Sequence, residues 1–466
     1  EGGGRFCQGQ RLMETPVADF VRRYADSGMI RAHMPGHKGK PFLGCETLDI
    51  TEIQGADSLY EAEGIIRRSE SYAGELFGSG RTVYSTEGSS QCIRAMLYLA
   101  LSCGNGSRTV VAARNVHRAF VYAAALLDFE IVWLWPERSS SLCGCPVSPD
   151  TLEWTLATLP APPAAVYLTS PDYLGFVQDV AGLSAVCHAH GLPLLVDNAH
   201  GAYLHFLKEG SRHPIQLGAD LCCDSAHKTL PVLTGGAYLH LGSSVQADEA
   251  AVCNALALFG STSPSYLILQ SLDAANGILD GRWRTALHHA AAEWTAVKEH
   301  IAEIGFCLTG KEMLKLTVMP KGYGYTGEQL AELLERKNIY CEFADPDYLV
   351  LMLPVEYDPA LPRRICAAFE SISPRAEITT PAPALGRGVS VLSPHAALFR
   401  PAEQVTLSQS LGRVMADPTV SCPPAIPVVC CGERIDPWAV EAMAYYGITR
   451  VRVLKETSDK REENFR

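Results

Sequence analysis

Short apolar segments that alternate with helix-like segments, from about residue 61 to residue 241, constrain the fold of this chain most strongly. The strand-like segments are Thr82–Ser85, Thr109–Ala112, Glu130–Leu134, Ala165–Thr169, Leu194–Val196, Ala219–Cys223 and Gly236–His240. The helix-like segments that precede and separate them are Gly64–Phe77, Ser89–Leu101, Val116–Leu127, Ser148–Leu159 and Gly182–His190. This α/β alternation predicts a mostly parallel sheet covered by helices on both faces. Ligands of such sheets bind at the carboxyl ends of the strands, so a site is expected in the loops that follow them.

The rest of the sequence predicts two further parts of the molecule. Thr15-Pro16 has the pattern of a helix start, with proline at the first helical position. A long helical stretch, roughly Pro264 to Ile304, is predicted to be a connector, and residues 311–380 give strand, helix, strand, strand and helix patterns. We therefore predict an N-terminal helix and loop segment at residues 1–58, a large domain at 59–305 and a smaller C-terminal α+β domain at 306–466.

Charge, cysteine content and hydropathy argue against several classes of protein. The 39 Lys and Arg against 51 Asp and Glu give a formal net charge of −12, whereas non-specific nucleic-acid binding needs a basic surface. The 16 cysteines include the adjacent pairs Cys222-Cys223 and Cys430-Cys431, and many lie in apolar segments, which indicates reduced thiols. Cys143-Gly-Cys145 has no second ligand pair nearby, so we expect no metal. No apolar run reaches the ~20 residues of a membrane span and the N-terminus shows no signal core, so we expect a cytoplasmic protein.

The segment Asp224–Leu230, directly after a predicted strand, carries the clearest chemical signal. Pyridoxal 5′-phosphate (PLP) needs a lysine amine for its Schiff base and a nearby donor for its phosphate, which Lys228 and Ser225 can supply. Asp197, at the end of another strand, can pair with the pyridine nitrogen and keep it protonated, so that the ring accepts electrons. Taken alone, a loop lysine is mostly a solvated surface residue, and such an aspartate can simply cap a helix.

Two other segments extend this pattern. Glu87-Gly88-Ser89-Ser90 lies between a strand and a helix, where backbone N–H groups and hydroxyls can bind an anion. His117 lies in a strand-to-helix loop, from which an imidazole can stack on a flat ring. Glycine and serine are also common in turns, and a histidine near a helix start is often structural. The combination is more informative than its parts, because all four candidate elements follow strands of one α/β pattern.

The chain resembles the Orn/Lys/Arg decarboxylase family, in its short bacterial form, over nearly its whole length. The segments that carry this resemblance are His33–Gly39, Asp49–Ile53, Gly55–Leu59, Thr169–Gly175, Val196–Gly201, Ser225–Leu230, Ile426-Pro427 and Gly432–Ile435. The resemblance implies a large domain of the fold-type I PLP-transferase kind and a smaller α+β C-terminal domain.

The resemblance also implies a role for each candidate residue. Lys228 holds PLP as a Schiff base, Asp197 pairs with the ring nitrogen, and His117 and Ala199 lie on the two faces of the ring. The residues implied for phosphate binding and the rest of the cofactor site are Gly88, Ser89, Ser90, Ser225, His200 and His227. Thr262, beside Ser261, is implied to complete the phosphate site of a partner subunit, so that a homodimer is the minimal active unit. The alternative for this segment is that Ser261 or Ser263 caps a helix at Pro264.

The activity that the resemblance implies is PLP-dependent α-decarboxylation of arginine, lysine or ornithine, to an amine and CO₂, as in polyamine biosynthesis. The proton that returns to Cα is expected from His227 or Lys228. Glu342, Asp345 and Asp347 are candidate partners for the cationic substrate tail, although a solvated turn is the more usual explanation of such a cluster. The rival hypotheses are another PLP reaction on the same fold, such as transamination or aldol cleavage, and an inactive regulatory homologue.

The sequence departs from the family pattern at several positions. Glu87 stands where the family often has asparagine, which requires its charge to point away from a phosphate. Asn198 replaces the usual acid of the Asp-Glu-Ala-His motif. Ala425 and Cys431 alter the two C-terminal signatures, and we expect these two changes to affect substrate choice more than cofactor binding.

Overall fold

The centre of the molecule is a seven-stranded sheet with the order β1-β7-β6-β5-β4-β2-β3, in a computed structural model that describes residues 14–136, 143–421 and 427–456. Its strands are β1 (Arg81–Ser85), β2 (Thr109–Ala113), β3 (Glu130–Leu134), β4 (Ala165–Thr169), β5 (Leu194–Asp197), β6 (Leu221–Asp224) and β7 (Ala237–Leu241). Five strands, β3, β2, β4, β5 and β6, run parallel to one another, whereas β7 is antiparallel to both β6 and β1. The predicted mostly parallel sheet is therefore confirmed.

Helices cover both faces of this sheet. Those of the N-terminal and large parts are α1 (Pro16–Asp26), α2 (Ile65–Phe77), α3 (Ser89–Cys103), α4 (Arg118–Leu127), α5 (Pro149–Thr158), α6 (Val180–Ala189), α7 (Ala226–Thr229) and α8 (Glu249–Ala257). Along β2, Val110 and Ala112 pack with residues of α3 and α4, while Val111 and Ala113 pack with residues of α5 and α6. This alternation is what a strand buried on both faces requires.

The predicted long helical connector is two helices. They are α9 (Tyr266–Ile278) and α10 (Arg284–Glu303), and a π-helical turn at Leu279–Trp283 separates them. Within that turn, Gly281 has φ −115° and ψ −112°, which is outside the helical region. A glycine in the middle of a helical pattern weakens the helix, and here it marks the break.

The α10 helix leads into an antiparallel four-stranded sheet with the order β10-β11-β9-β8. Its elements are β8 (Cys307–Thr309), β9 (Lys315–Met319), α11 (Gly327–Glu335), β10 (Phe343–Ala344), β11 (Leu349–Met352) and α12 (Leu361–Glu370). From β9 onward, this is the strand, helix, strand, strand, helix order that the sequence predicts for residues 311–380.

The C-terminal part of the described chain is built from three two-stranded sheets and two helices. They comprise β12 (Val389–Ser390), α13 (Pro394–Leu398), β13 (Ala402–Thr406), β14 (Thr419–Ser421), β15 (Pro427–Cys430), β16 (Glu433–Arg434), α14 (Pro437–Tyr445) and β17 (Arg450–Leu454). No disulfide joins any of the cysteines in the three described ranges. None of the helices in those ranges combines the length and the apolar character that crossing a membrane requires.

Candidate active site

Lys228 lies in the one-turn helix α7, which begins two residues after β6 ends. Its Nζ lies 3.1 Å from Nε2 of His200. Burial lowers the pKa of Lys228; the charge of Asp197 opposes this shift, and the charge of Lys315 adds to it. A lysine with a lowered pKa reaches its neutral, nucleophilic form more easily than a solvated one, as covalent binding of a carbonyl requires.

Asp197 is the last residue of β5 and its side chain is buried. One carboxylate oxygen accepts the N–H of Ala199 at 3.1 Å, and the other accepts the hydroxyl of Tyr167 at 3.3 Å. Burial raises the pKa of Asp197, although the charge of Lys228 and these hydrogen bonds partly offset the rise. The carboxylate therefore gains from any further positive group that reaches it.

The predicted phosphate loop lies where β1 turns into α3. Gly88 has φ +70°, a conformation that side chains rarely adopt, and its N–H donates to the carbonyl of Gly235 at 2.8 Å. Its N–H is therefore engaged within the chain, and its role in the loop is conformational. Ser89 begins α3, and the hydroxyl of Ser225 donates to that of Ser89 at 2.7 Å. This hydrogen bond joins two of the three predicted phosphate-binding serines, one after β1 and one after β6. It lies at the start of α3, and a helix start favours anions.

Glu87 and Ser90 flank this contact. Glu87 is exposed and Ser90 is half-buried, as is Gly88. The exposed side chain of Glu87 keeps its negative charge in solvent, away from the buried hydroxyl of Ser89. The departure from the family pattern at residue 87 therefore does not place an acid inside the predicted phosphate site.

His117 caps α4, and its Nδ1 accepts the N–H of Ala119 at 3.2 Å. The proton of the neutral ring is therefore on Nε2. Burial, reinforced by the charge of Lys228, lowers the pKa of His117 to about 4. A neutral imidazole can stack on an aromatic ring without bringing a second cation to Lys228.

Two more histidines lie at the Lys228 turn, His227 within it and His200 against it. Nδ1 of His227 lies at hydrogen-bond distance, 2.9 Å, from the carbonyl oxygen of Gly236. Burial lowers the pKa of His227. His200 is buried, and its Nδ1 has no hydrogen-bond partner within the described chain. Burial and the charge of Lys228 hold the pKa of His200 well below its ordinary value. Both rings are therefore neutral at neutral pH, with one nitrogen engaged and one available.

These elements match one known family. The family model described as the Orn/Lys/Arg decarboxylase major domain matches residues 15–318.

The chain belongs to this family.

It is 31% identical over 471 residues to the uncharacterized protein YaaO of Bacillus subtilis (strain 168), covering 93% of this chain and 94% of that protein. It is 27% identical over 459 residues to the arginine decarboxylase of the same organism, covering 91% of each. The protein is a PLP-dependent amino-acid decarboxylase.

Solved structures show the same fold at low sequence identity. The constitutive lysine decarboxylase of Escherichia coli matches with a TM-score of 0.77 at 18% identity, covering 95% of this chain and 82% of that chain. The serine palmitoyltransferase of Sphingomonas wittichii matches with a TM-score of 0.54 at 17% identity, covering 77% of this chain and 84% of that chain. Both findings confirm the predicted fold class, a large α/β domain of the PLP-transferase kind.

The residues at this site fit PLP. The amine of Lys228, the buried carboxylate of Asp197 and the Ser89–Ser225 pair supply the three kinds of contact that the cofactor needs. The unpartnered Nδ1 of buried His200 is a further polar atom left for a ligand, since such atoms are otherwise satisfied within the protein.

Sequence reasoning missed a buried lysine beside the site of the decarboxylase. Lys315, on β9, has 3% of its surface exposed. Its Nζ lies 3.0 Å from Glu312 Oε2 and donates to the carbonyl of Asp172 at 3.0 Å. It thereby fixes the loop after β4 to the four-stranded sheet. A single lysine in the apolar run Leu314–Val318 was the available signal.

The three acidic candidates for the substrate tail have different environments. Glu342 Oε1 accepts the hydroxyl of Tyr173 at 2.7 Å, and the ring of Tyr173 packs edge-on against His200 at 5.0 Å. Asp345 is buried and accepts N–H groups of its own turn, and Asp347 pairs with Lys321 at 2.6 Å. Among these three residues, only Glu342 is linked to the Lys228 site, through Tyr173. Its side chain is exposed, as the solvated-turn alternative expects, whereas Asp345 is buried.

The C-terminal signature reaches the loop of His117. Glu433 is buried and pairs with Arg114 at 2.8 Å, just after β2. The same carboxylate oxygen accepts the N–H of Cys430 at 2.8 Å. The segment 432–435 therefore supports the strand end that leads to His117. The neighbouring Ala425 departure and Ile426 lie outside the described residues.

Thr262 is not brought to the site within one chain. Ser261, Thr262 and Ser263 are exposed, and in the described chain no hydrogen bond joins Thr262 to the predicted cofactor residues. The capping alternative is wrong, because α9 begins at Tyr266 and its N-cap is Ser265, which makes no side-chain capping bond. The segment is therefore free to serve another role.

Proposed function

We propose that this decarboxylase acts on a basic L-amino acid, arginine, lysine or ornithine, and releases CO₂ and the corresponding amine. The observation that carries the proposal is the Glu342 carboxylate, held at 2.7 Å by Tyr173 next to His200 and Lys228. One oxygen of Glu342 is engaged, which leaves the other for a cationic side chain. Relatives named arginine decarboxylase and lysine decarboxylase support the same substrate class.

The proposed roles of the chain's own residues follow from their positions. Lys228 Nζ binds the cofactor covalently, and the buried Asp197 holds a negative charge against its ring nitrogen. Bound PLP supplies the electron sink that loss of CO₂ from Cα requires. His117 and Ala199 enclose the ring, and Ser89, Ser90 and Ser225 hold the phosphate at the start of α3.

The proton that returns to Cα is proposed to come from Lys228. Nδ1 of His227 donates to Gly236, so Nε2 of the neutral ring carries no proton to give. Burial lowers the pKa of His227, which disfavours the doubly protonated ring. Lys228 Nζ lies against the neutral His200 at 3.1 Å, where it can hold a proton and release it.

The proposed active unit is a homodimer in which Thr262 of one subunit completes the phosphate site of the other. The exposed Ser261–Ser263 segment supports this proposal, since its hydroxyls face solvent in one chain. Large exposed apolar side chains in the N-terminal loop support it as well: Met29, Ile30, Met34, Phe42 and Leu43. Several large apolar side chains exposed in one loop are typical of protein interfaces.

Product analysis tests the proposed substrate class. PLP-loaded protein is incubated separately with arginine, lysine, ornithine and, as a control without a cationic tail, leucine, and products are identified by mass spectrometry. We expect the decarboxylated amine from at least one basic amino acid and none from leucine. A 2-oxo acid instead of an amine would favour the transamination rival, and an amine from leucine would contradict the role of Glu342.

A further inference from the structure

A fully buried polar cluster lies behind the Lys228 turn. Its centre is Asp224, the last residue of β6. Asp224 Oδ2 is 2.9 Å from Nε2 of His213 and 3.2 Å from Nε2 of His240, and Oδ1 accepts the side-chain N–H of Asn198 at 2.6 Å. All four side chains have no exposed surface. We refer to these residues as the Asp224 cluster.

A hydrogen bond on the far side of the His213 ring fixes the proton that faces Asp224. Nδ1 of His213 accepts the N–H of Ile215, so the ring proton is on Nε2 and points at Asp224. Nδ1 of His240 lies 2.8 Å from the hydroxyl of Thr82. Burial alone would raise the pKa of Asp224, but the contacts with His213 and His240 outweigh it and lower the pKa well below its ordinary value. Asp224 is therefore a buried anion surrounded by hydrogen-bond donors.

The same protons argue against a metal at this cluster. One ligand atom from each of His213, Asp224 and His240 lies within 4.8 Å of the others, which is close enough to consider an ion. A metal ligand needs a free lone pair on the coordinating nitrogen, whereas Nε2 of His213 carries the proton. The cluster is a hydrogen-bonded anion site, not a coordination site.

The cluster connects the two loops that carry the cofactor residues. Asn198 directly follows Asp197, and Asp224 directly precedes Ser225 in the segment that leads to Lys228. The backbone N–H of Asn198 also donates to the carbonyl of Cys223 at 2.9 Å. The Asn198–Asp224 bond is thus a side-chain tie between the ends of β5 and β6, one residue from Asp197 on one side.

We propose that Asp224 is a positioning residue, and that its bond to Asn198 sets the Ser225–Lys228 turn relative to Asp197 for cofactor binding. The inference rests on the proposed roles of Lys228 and Asp197. The Asn198–Asp224 bond requires one carboxylate and one amide. Two facing carboxylates would repel without solvent to screen them, and two amides would leave the buried cluster with no anion, whereas one acid and one amide in either order keep both the charge and the hydrogen bond.

A reciprocal exchange tests the pair. N198D places a second carboxylate 2.6 Å from Asp224, whereas N198D/D224N restores one acid and one amide in reversed order. D224N keeps the shape and removes the charge, and the unpartnered Oδ1 of Asn198 can accept its new amide after a flip of the Asn198 side chain. The matched control is D220N at the other end of β6, where Asp220 accepts from His188 at 2.9 Å.

The readouts are the dissociation constant of PLP, followed near ~420 nm, and the thermal unfolding of the apoprotein. We expect N198D and D224N each to weaken PLP binding by about tenfold or more, and the double exchange to recover most of the loss, as residues in direct contact are coupled. D220N should lower the unfolding temperature and leave PLP affinity unchanged. If N198D does not fold, D224N against D220N gives the same comparison.

Two results would overturn different parts of this account. Equal PLP affinity in wild type, D224N and the double exchange, with PLP attached to Lys228, would overturn the positioning role of Asp224 alone. Attachment of PLP to another lysine in the wild-type protein would instead overturn the proposed function on which the inference rests.

Discussion

The ends of β5 and β6 lie side by side and carry two buried aspartates with opposite electrostatics. Asp197 and Asp224 are both buried, yet the pKa of Asp197 is raised and that of Asp224 is lowered, because their hydrogen-bond donors differ. Asp197 has one hydroxyl, one backbone N–H and the thiol of Cys223, whereas Asp224 has the Nε2 atoms of two histidines, an amide and the thiol of Cys222. One acid is satisfied within the chain and the other is left for a ligand. Mutation of Asp197 should therefore affect turnover most, whereas mutation of Asp224 should affect cofactor binding and stability.

The largest expected effect comes from Asp197→Asn. This change should keep PLP attached to Lys228 but lower kcat by roughly 10²–10³-fold, the scale on which loss of one preorganised electrostatic group acts. The unfolding temperature should stay the same or rise, since the variant loses a buried charge with a raised pKa. Steady-state kinetics and thermal unfolding of the same preparation check both statements. Near-normal turnover would show that Asp197 has only a structural role, and the functional difference between Asp197 and Asp224 would no longer hold.

The next largest effect is expected from the double change Ser261→Ala and Thr262→Ala. A hydrogen bond to a charged group contributes about 1.5–3 kcal/mol, so losing a cross-subunit contact should weaken PLP binding roughly ten- to a hundredfold. Mixing this variant with inactive Lys228→Ala protein should restore some activity, because one site of a mixed dimer has both a lysine and a partner loop. No recovery after demonstrated subunit exchange would refute the shared site.

A smaller effect is expected from Glu342→Gln. The change keeps a partner for Tyr173 and removes the negative charge, so KM for the basic substrate should rise about tenfold, as expected for one charge-assisted contact, with kcat nearly unchanged. Asp347→Asn is the matched control, since Asp347 pairs with Lys321 and should leave KM unaffected. A fall in kcat with an unchanged KM would move Glu342 from substrate binding to another role.

The smallest effect concerns pH and His117. Its pKa is about 4 in the folded chain against 6.5 for an ordinary histidine, so only the unfolded chain takes up a proton between these values. Its contribution to stability is therefore lost as pH falls through this range, by about 1 kcal/mol between pH 7.5 and 5.5. His117→Asn keeps a capping side chain on α4 and should reduce this loss. Unfolding by urea at both pH values measures the difference, and identical pH dependence in the two proteins would contradict the assignment of a neutral His117.

Local sequence patterns were sufficient for most of the large domain. The predicted strands correspond to β1 to β7 within a few residues, since continuous apolar segments bounded by polar loops are typical of buried parallel strands. The break at Gly281 was missed because the apolar periodicity continues across it into α10. The start of α9 at Tyr266, past the predicted Pro264, is an error at an element boundary, where local patterns carry the least information.

The candidate site was only partly predictable for a different reason. Lys228, Asp197 and Ser225 follow strands and are found by position, but their partners come from distant segments of the chain. The pairing of Arg114 with Glu433 joins residues more than three hundred positions apart, and no local pattern indicates it. Asn198 was noted only as a departure from the family motif, and its bond to Asp224 gives that departure a physical meaning.

The central claim is that Lys228, and not its buried neighbour Lys315, binds PLP covalently. PLP-loaded protein is reduced with borohydride, digested and analysed by peptide mass spectrometry. We expect the reduced cofactor on the peptide that contains Lys228, whose pKa is lowered, and none on Lys315, which pairs with Glu312 at 3.0 Å. Modification of Lys315 or another lysine, with Lys228 unmodified, would contradict the account.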